Sequence, residues 1–103
     1  MNIIEQHKHA LIELCKKHHV KTLYVFGSAL RDDFREDSDV DFSVVFDRGL
    51  LNDPLIYGKN SWDFTFALEN TLKRHVDLIS EEAIRNRFFK MELDLTKQLL
   101  YAA

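Results

Sequence analysis

The chain has 103 residues, 46% of them apolar, which suits one small domain, spanning 1–103, that buries about two-thirds of its unfolded surface, and excludes two domains. Its 14 Lys and Arg against 17 Asp and Glu leave a formal charge of -3, which excludes binding by neutralisation of phosphate backbones, so no direct nucleic-acid contact is expected. The first residues, Met1 to His7, lack the apolar stretch of a secretory signal, no apolar run approaches a membrane span, and the single cysteine, Cys15, cannot close an internal disulfide. The expectation is a soluble cytoplasmic protein with no membrane contact and no redox chemistry.

Apolar side chains at 3, 4, 11, 14 and 15 predict an amphipathic helix over residues 2–19. Residues 21–26 read as a strand stopped by Gly27-Ser28, with Ser28 as N-cap of a turn or two of helix over 29–33 and a charged loop after it. Residues 39–46 alternate cleanly: Val40, Phe42, Val44 and Phe46 lie on one face, Asp39, Asp41, Ser43 and Val45 on the other. The stretch 47–60, with Gly49, Pro54, Gly58 and two asparagines, predicts a long loop. Helical spacing resumes over 61–73 through Trp62, Phe66, Leu68 and Leu72, followed by a short strand at 75–79. Ser80 is placed as the cap of a last helical region, 81–101, broken near Asn86. This order implies an α/β (α+β) fold, a small mixed sheet with helices packed on it, and leaves the strand order open.

Two apolar groups need placing. Trp62, Tyr57 and Phe64 flank the predicted loop and divide between stacking on a base and simple packing. In the last helix Phe88, Met91, Leu95 and Leu99 form one stripe and Phe89, Leu93 and Leu100 a second, an apolar arc of about 200° that exceeds what one sheet covers. Either the tail makes a deep contact with its own sheet, or the second stripe meets another chain, a different protein or a second copy.

Six acids stand between Asp32 and Asp41 against one base, Arg35. Most of that run reads as a solvated loop, but Asp39 and Asp41 stand two apart at the mouth of a strand whose other face is apolar, so both carboxylates point the same way. Like charges held that close call for a cation, and hard oxygen ligands suit Mg²⁺ or Mn²⁺. The other half of the site is Gly27-Ser28, where a backbone without a side chain can approach a phosphate. His7-x-His9 and His18-His19 lack the spacing of a zinc pair on one helix face; His18 and His19 read as a frayed, cationic helix end. His75 shares a face with Asp77 but reads as a polar edge-strand residue.

Gly-Ser, ten residues, then Asp-x-Asp, written here as GSALRDDFREDSDVD, resembles the signature of the polymerase-β-type nucleotidyltransferase superfamily. Nearly the whole chain is similar to its stand-alone member, the minimal nucleotidyltransferase (MNT) domain, including the strand LYVFGS, the later HVDLIS with Asp77, and the tail IRNRFFKMELDLTKQLLY. Arg31 matches the family pattern, while Asp32 stands where many relatives have glycine. The resemblance implies the polymerase-β-type fold, metal ligation by Asp39, Asp41 and Asp77 as the catalytic acids, two divalent ions, and Gly27, Ser28 and Arg31 on the triphosphate of ATP. It further implies AMP transfer to a hydroxyl of a partner protein, and an antitoxin role beside an HEPN-family ribonuclease toxin. The HEPN signature, Arg followed four to six residues later by His, is absent from this chain, so the toxin is a separate polypeptide. Two other readings compete: a non-catalytic binding subunit on the same scaffold, and an aminoglycoside-type enzyme whose acceptor pocket is completed by a partner.

Overall fold

A computed structural model describes residues 2–30, 35 and 38–103, with Asn2 and Ser28 described by their backbone alone. Arg31, Asp32, Asp33, Phe34, Glu36 and Asp37 lie outside the described residues. In chain order the elements are α1 (Asn2–Gln6), α2 (Lys8–Lys17), β1 (Val20–Phe26), a 3₁₀ turn (Gly27–Leu30), β2 (Val40–Phe46), α3 (Pro54–Leu72), β3 (Val76–Ser80), a second 3₁₀ turn (Glu81–Ala83), α4 (Arg87–Thr96) and β4 (Gln98–Ala102).

The four strands form one mixed sheet in the order β3-β2-β1-β4. β1 is antiparallel to both β2 and β4, and β3 runs parallel to β2, which α3 makes possible by carrying the chain back along the sheet. Alternation divides the sheet into two faces. Leu23 and Val25 of β1 join Val40, Phe42, Val44 and Phe46 of β2 on the face covered by α2 and α3, where Leu11, Cys15, Phe64, Leu68 and Leu72 complete the core. Burial pushes the Cys15 thiol up to about 12, which leaves it a small apolar core residue. Tyr24, Phe26, Asp41, Ser43 and Asp77 belong to the opposite face, which α4 partly covers: Phe89 meets Phe26 edge-on at 6.1 Å and Lys97 Nζ sits 4.1 Å above the Tyr24 ring.

Several expectations are corrected. The first helix breaks at His7, whose ring Nδ1 donates to the Ile3 carbonyl at 2.9 Å. His18 is not frayed: it is buried, bonds back to the Leu14 carbonyl at 2.9 Å and packs on Phe64, while Asn60 Nδ2 donates to the His18 carbonyl at 2.7 Å. The 3₁₀ turn begins at Gly27, ahead of the expected cap at Ser28. The long loop is short, because Asp53 caps α3 by accepting the Leu55 N–H at 2.8 Å with Pro54 at the first helical position, where its missing donor costs nothing.

Along α3 it is Phe64, Leu68 and Leu72 that are buried, with Trp62 and Phe66 outside. Phe64 packs against Phe46, as does Tyr57. Ser80 makes no side-chain cap; its hydroxyl lies 3.2 Å from that of Tyr57. The last helical region is helix only as far as Thr96, with Asn86 as its N-cap, and then becomes β4 on the open flank of β1. The two stripes exchange roles as well: Leu93 and Leu100 are buried, whereas Phe88, Met91, Leu95 and Leu99 are exposed.

Candidate functional site

The site lies where the end of β1 meets the beginnings of β2 and β3. Phe26, the last residue of β1, pairs with Asp41, and Asp41 stands directly opposite Asp77 in the parallel ladder. Gly27 then turns the chain away at φ +70°, a left-handed value that costs glycine nothing, and a Cβ in its place would overlap the Asp41 carboxylate. The absent side chain therefore opens the backbone at the carboxylate end of the sheet.

Asp39 precedes β2. Its Oδ2 lies 3.5 Å from His75 Nδ1, which is also 3.8 Å from Asp77 Oδ1. These three side chains offer ligand atoms all within 4.8 Å of one another, and each is exposed. The segments carrying them are tied together. Val40 N–H donates to the His75 carbonyl at 3.1 Å, and Arg74 donates from Nη1 to the carbonyls of Arg35 and Ser38. On the other side of His75, Nε2 lies 4.0 Å from Glu69 of α3, which in turn accepts the Val76 N–H at 3.0 Å. Carboxylate oxygens and an imidazole that converge at a solvent-open point are a donor set that fits a small divalent cation.

The alternation of β2 places Asp39 and Asp41 together, the family resemblance adds Asp77, and the strand register sets Asp77 opposite Asp41. Sequence reasoning assigned His75 to an edge instead. The period of two already puts 75 and 77 on one face, but only the parallel pairing with β2 brings that face to Asp39. Ser28 is part of the turn at Gly27–Leu30, and Arg31 lies outside the described residues. None of His7, His9, His18 or His19 belongs to the ligand group found among the described residues. A cavity of about 650 Å³ opens at the far end of β2 around Lys16, Lys21, Asp47 and Arg48, and shares no residue with the carboxylates.

A second charged cluster occupies the same face beyond Ser43. Lys97 Nζ lies 2.6 Å from Glu81 Oε1 and 3.0 Å from Asp94, Lys90 Nζ lies 3.1 Å and 2.6 Å from the same two acids, and Ser43 donates to Glu81 Oε2 at 3.2 Å. Burial pushes Glu81 toward its neutral form, but the hydrogen bonds from Lys97, Lys90 and Ser43 outweigh it and hold the carboxyl below its ordinary 4.5. Burial likewise opposes the charge on Lys97, and the bonds to Glu81 and Asp94 overcome it, holding the ammonium above its ordinary 10.5.

Residues 9–103 match the family described as polymerase beta, nucleotidyltransferase. A protein of Methanocaldococcus jannaschii, named provisionally as a protein adenylyltransferase, is 32% identical over 99 residues, covering 96% of this chain and 90% of that one. A solved structure described provisionally as a minimal nucleotidyltransferase superposes with a TM-score of 0.72 at 28% identity, covering 95% of each chain. The fold is shared also with a chain of the complex between the tri-AMPylated HEPN toxin of Shewanella oneidensis and its MNT antitoxin. That match has a TM-score of 0.65 at 18% identity, over 96% of this chain and 72% of the other.

Proposed function

The chain belongs to the polymerase-β nucleotidyltransferase family, and from that membership we propose that it transfers AMP from ATP to a hydroxyl of a partner protein, as antitoxin to an HEPN-family toxin. The observation that carries this reading is the strand register that sets Asp41 opposite Asp77 at the glycine ending β1, with Asp39 and His75 alongside. The relatives' names support the choice of AMP and of a protein acceptor.

In this reading Asp39, Asp41 and Asp77 hold Mg²⁺ or Mn²⁺, as two ions. Bound there, the ions supply positive charge to the reacting phosphate and to the departing pyrophosphate. Gly27 and Ser28 receive the triphosphate on their backbone, and Arg31 adds a positive charge to it. The acceptor oxygen forms a bond to the α-phosphorus, the bond from that phosphorus to the α,β-bridging oxygen breaks, and pyrophosphate leaves with the electron pair. The hydroxyl proton passes to the Asp77 carboxylate. Residues 1–103 act as one catalytic domain, and with ATP as donor its place is the cytoplasm.

The test is incubation of the purified protein with ATP labelled on the α-phosphate, Mg²⁺ and an HEPN-family toxin that co-purifies with it. Label is expected on the toxin and is lost with EDTA or with Asp41→Asn. Neutralisation of the toxin with no label transferred would replace catalysis by mere binding.

A further inference from the structure

Displacement at phosphorus runs in line, the attacking oxygen entering opposite the one that leaves. In the proposed AMP transfer the triphosphate would lie at Gly27, at the end of β1, and the acceptor proton would pass to Asp77 on β3, so the acceptor hydroxyl would enter from the side of β3. β3 is an edge strand, and beyond it the surface is shaped. A groove of about 300 Å³ runs between α3 and the start of β3, lined by Trp62, Thr65, Phe66, Glu69, His75 and Val76.

Its walls are unusual for a solvated surface. Trp62 is 66% exposed and Phe66 49%, and the two rings meet edge-on at 5.2 Å, one turn apart on α3. A lone exposed aromatic is ordinary, whereas two held against each other beside a reacting centre make a preformed apolar seat. The Thr65 hydroxyl is turned back onto the Ser61 carbonyl, and Glu69 is fixed by the Val76 N–H, so the polar members of the groove are held by their own chain. His75 closes the groove at one side and contributes to the ligand group at the other. The groove and the carboxylate cluster thus share a side chain.

Resting on the proposed AMP transfer, we propose that this groove seats the acceptor polypeptide, taking an apolar side chain that flanks the hydroxyl residue to be modified. The nucleotide base is the competing occupant. It hangs from the ribose on the α-phosphate, off the line of attack, while the groove lies on the acceptor's side of Asp77. Trp62 and Phe66 then set acceptor preference by burying an apolar neighbour and leave the chemistry to the carboxylates.

The test uses an array of immobilised peptides in which Ser, Thr or Tyr is flanked by systematically varied residues, with ATP labelled on the α-phosphate and Mg²⁺. Wild type, Trp62→Ala and Phe66→Ala are compared, and ATP affinity is measured separately for each by calorimetry. The wild type is expected to label peptides with an apolar flank about tenfold more than those flanked by Gly and Ser, the scale of one well-seated aromatic contact. Either substitution should abolish that preference and leave ATP affinity within about twofold. An unchanged preference overturns the inference alone. A loss of ATP affinity gives the groove to the base and overturns it as well, while a wild type that labels no peptide overturns the protein-acceptor reading with it.

Discussion

Along one face of the sheet stand two clusters of charge, separated by little more than Ser43. In the one built on Glu81 and Asp94, two lysines approach the acids to between 2.6 and 3.1 Å, and the shifts in proton affinity record the match. In the one built on Asp39 and Asp77, His75 Nδ1 stands 3.5 Å from the first carboxylate and 3.8 Å from the second. The first arrangement fastens α4 and β4 to the sheet, because its members come from the 3₁₀ turn, from α4 and from the junction of α4 with β4. The second leaves acid oxygens converging at the surface, which suits a site that must accept and release charged ligands. One cluster is spent on fastening elements together, and the other opens its ligand atoms to solvent.

The largest difference should come from neutralising an acid in each cluster. Asp39→Asn and Asp41→Asn are expected to reduce AMP transfer about a thousandfold or more, since charge stabilisation is most of this chemistry. The metal-free melting temperature should stay level or rise as carboxylate repulsion is relieved. A large drop in that melting midpoint would dissolve the contrast between the clusters. Leu93→Ala, beneath the second cluster, should cost about 2–5 kcal/mol by denaturant melt, because Leu93 is 1% exposed.

Glu81→Gln should cost about 2 kcal/mol by the same measurement, by leaving two lysines and Ser43 without their charged acceptor. The pH dependence sharpens this further. Glu81 binds its proton less readily folded than unfolded, so its contribution is complete above the ordinary 4.5 and is lost as pH falls through the lower folded value. Lys97 holds its proton more tightly when folded, so its share is complete below 10.5 and is lost as pH rises through the higher folded value. The stability gap between wild type and Glu81→Gln should thus be flat between those limits and close in acid, as thermal melts across pH will read. The smallest effect belongs to the exposed stripe: Leu95→Ser should change stability by less than about 0.5 kcal/mol, although Leu95 and Leu93 are two residues apart.

Much of this was legible in the sequence because it is local. Alternation marked β2, strand-forming residues stopped by Gly27-Ser28 marked β1, a short run marked β3, and Gly27-Ser28 ten residues before Asp39-x-Asp41 carried the family resemblance, with Asp77 beside it. What escaped is set by partners distant in sequence. Residues 98–102 continue a helical stripe, yet the open flank of β1 pairs them as β4, a tertiary preference that outweighs local spacing. The start of α3 was hidden by Gly58 and Asn60, which favour loops, although Asp53-Pro54 is itself a helix-start signal. His75 entered the site through the β2–β3 register, which no window along the chain contains.

The sheet order has a consequence for synthesis. β1 is interior, yet one of its two neighbours is β4, so Leu23 pairs with Tyr101, far from it in sequence. While the ribosome is still translating, β1 can recruit β2 on one flank and has only bare N–H and C=O groups on the other. Until residues 98–102 emerge, that flank is a docking edge for any passing strand, and completion of the sheet waits on their arrival.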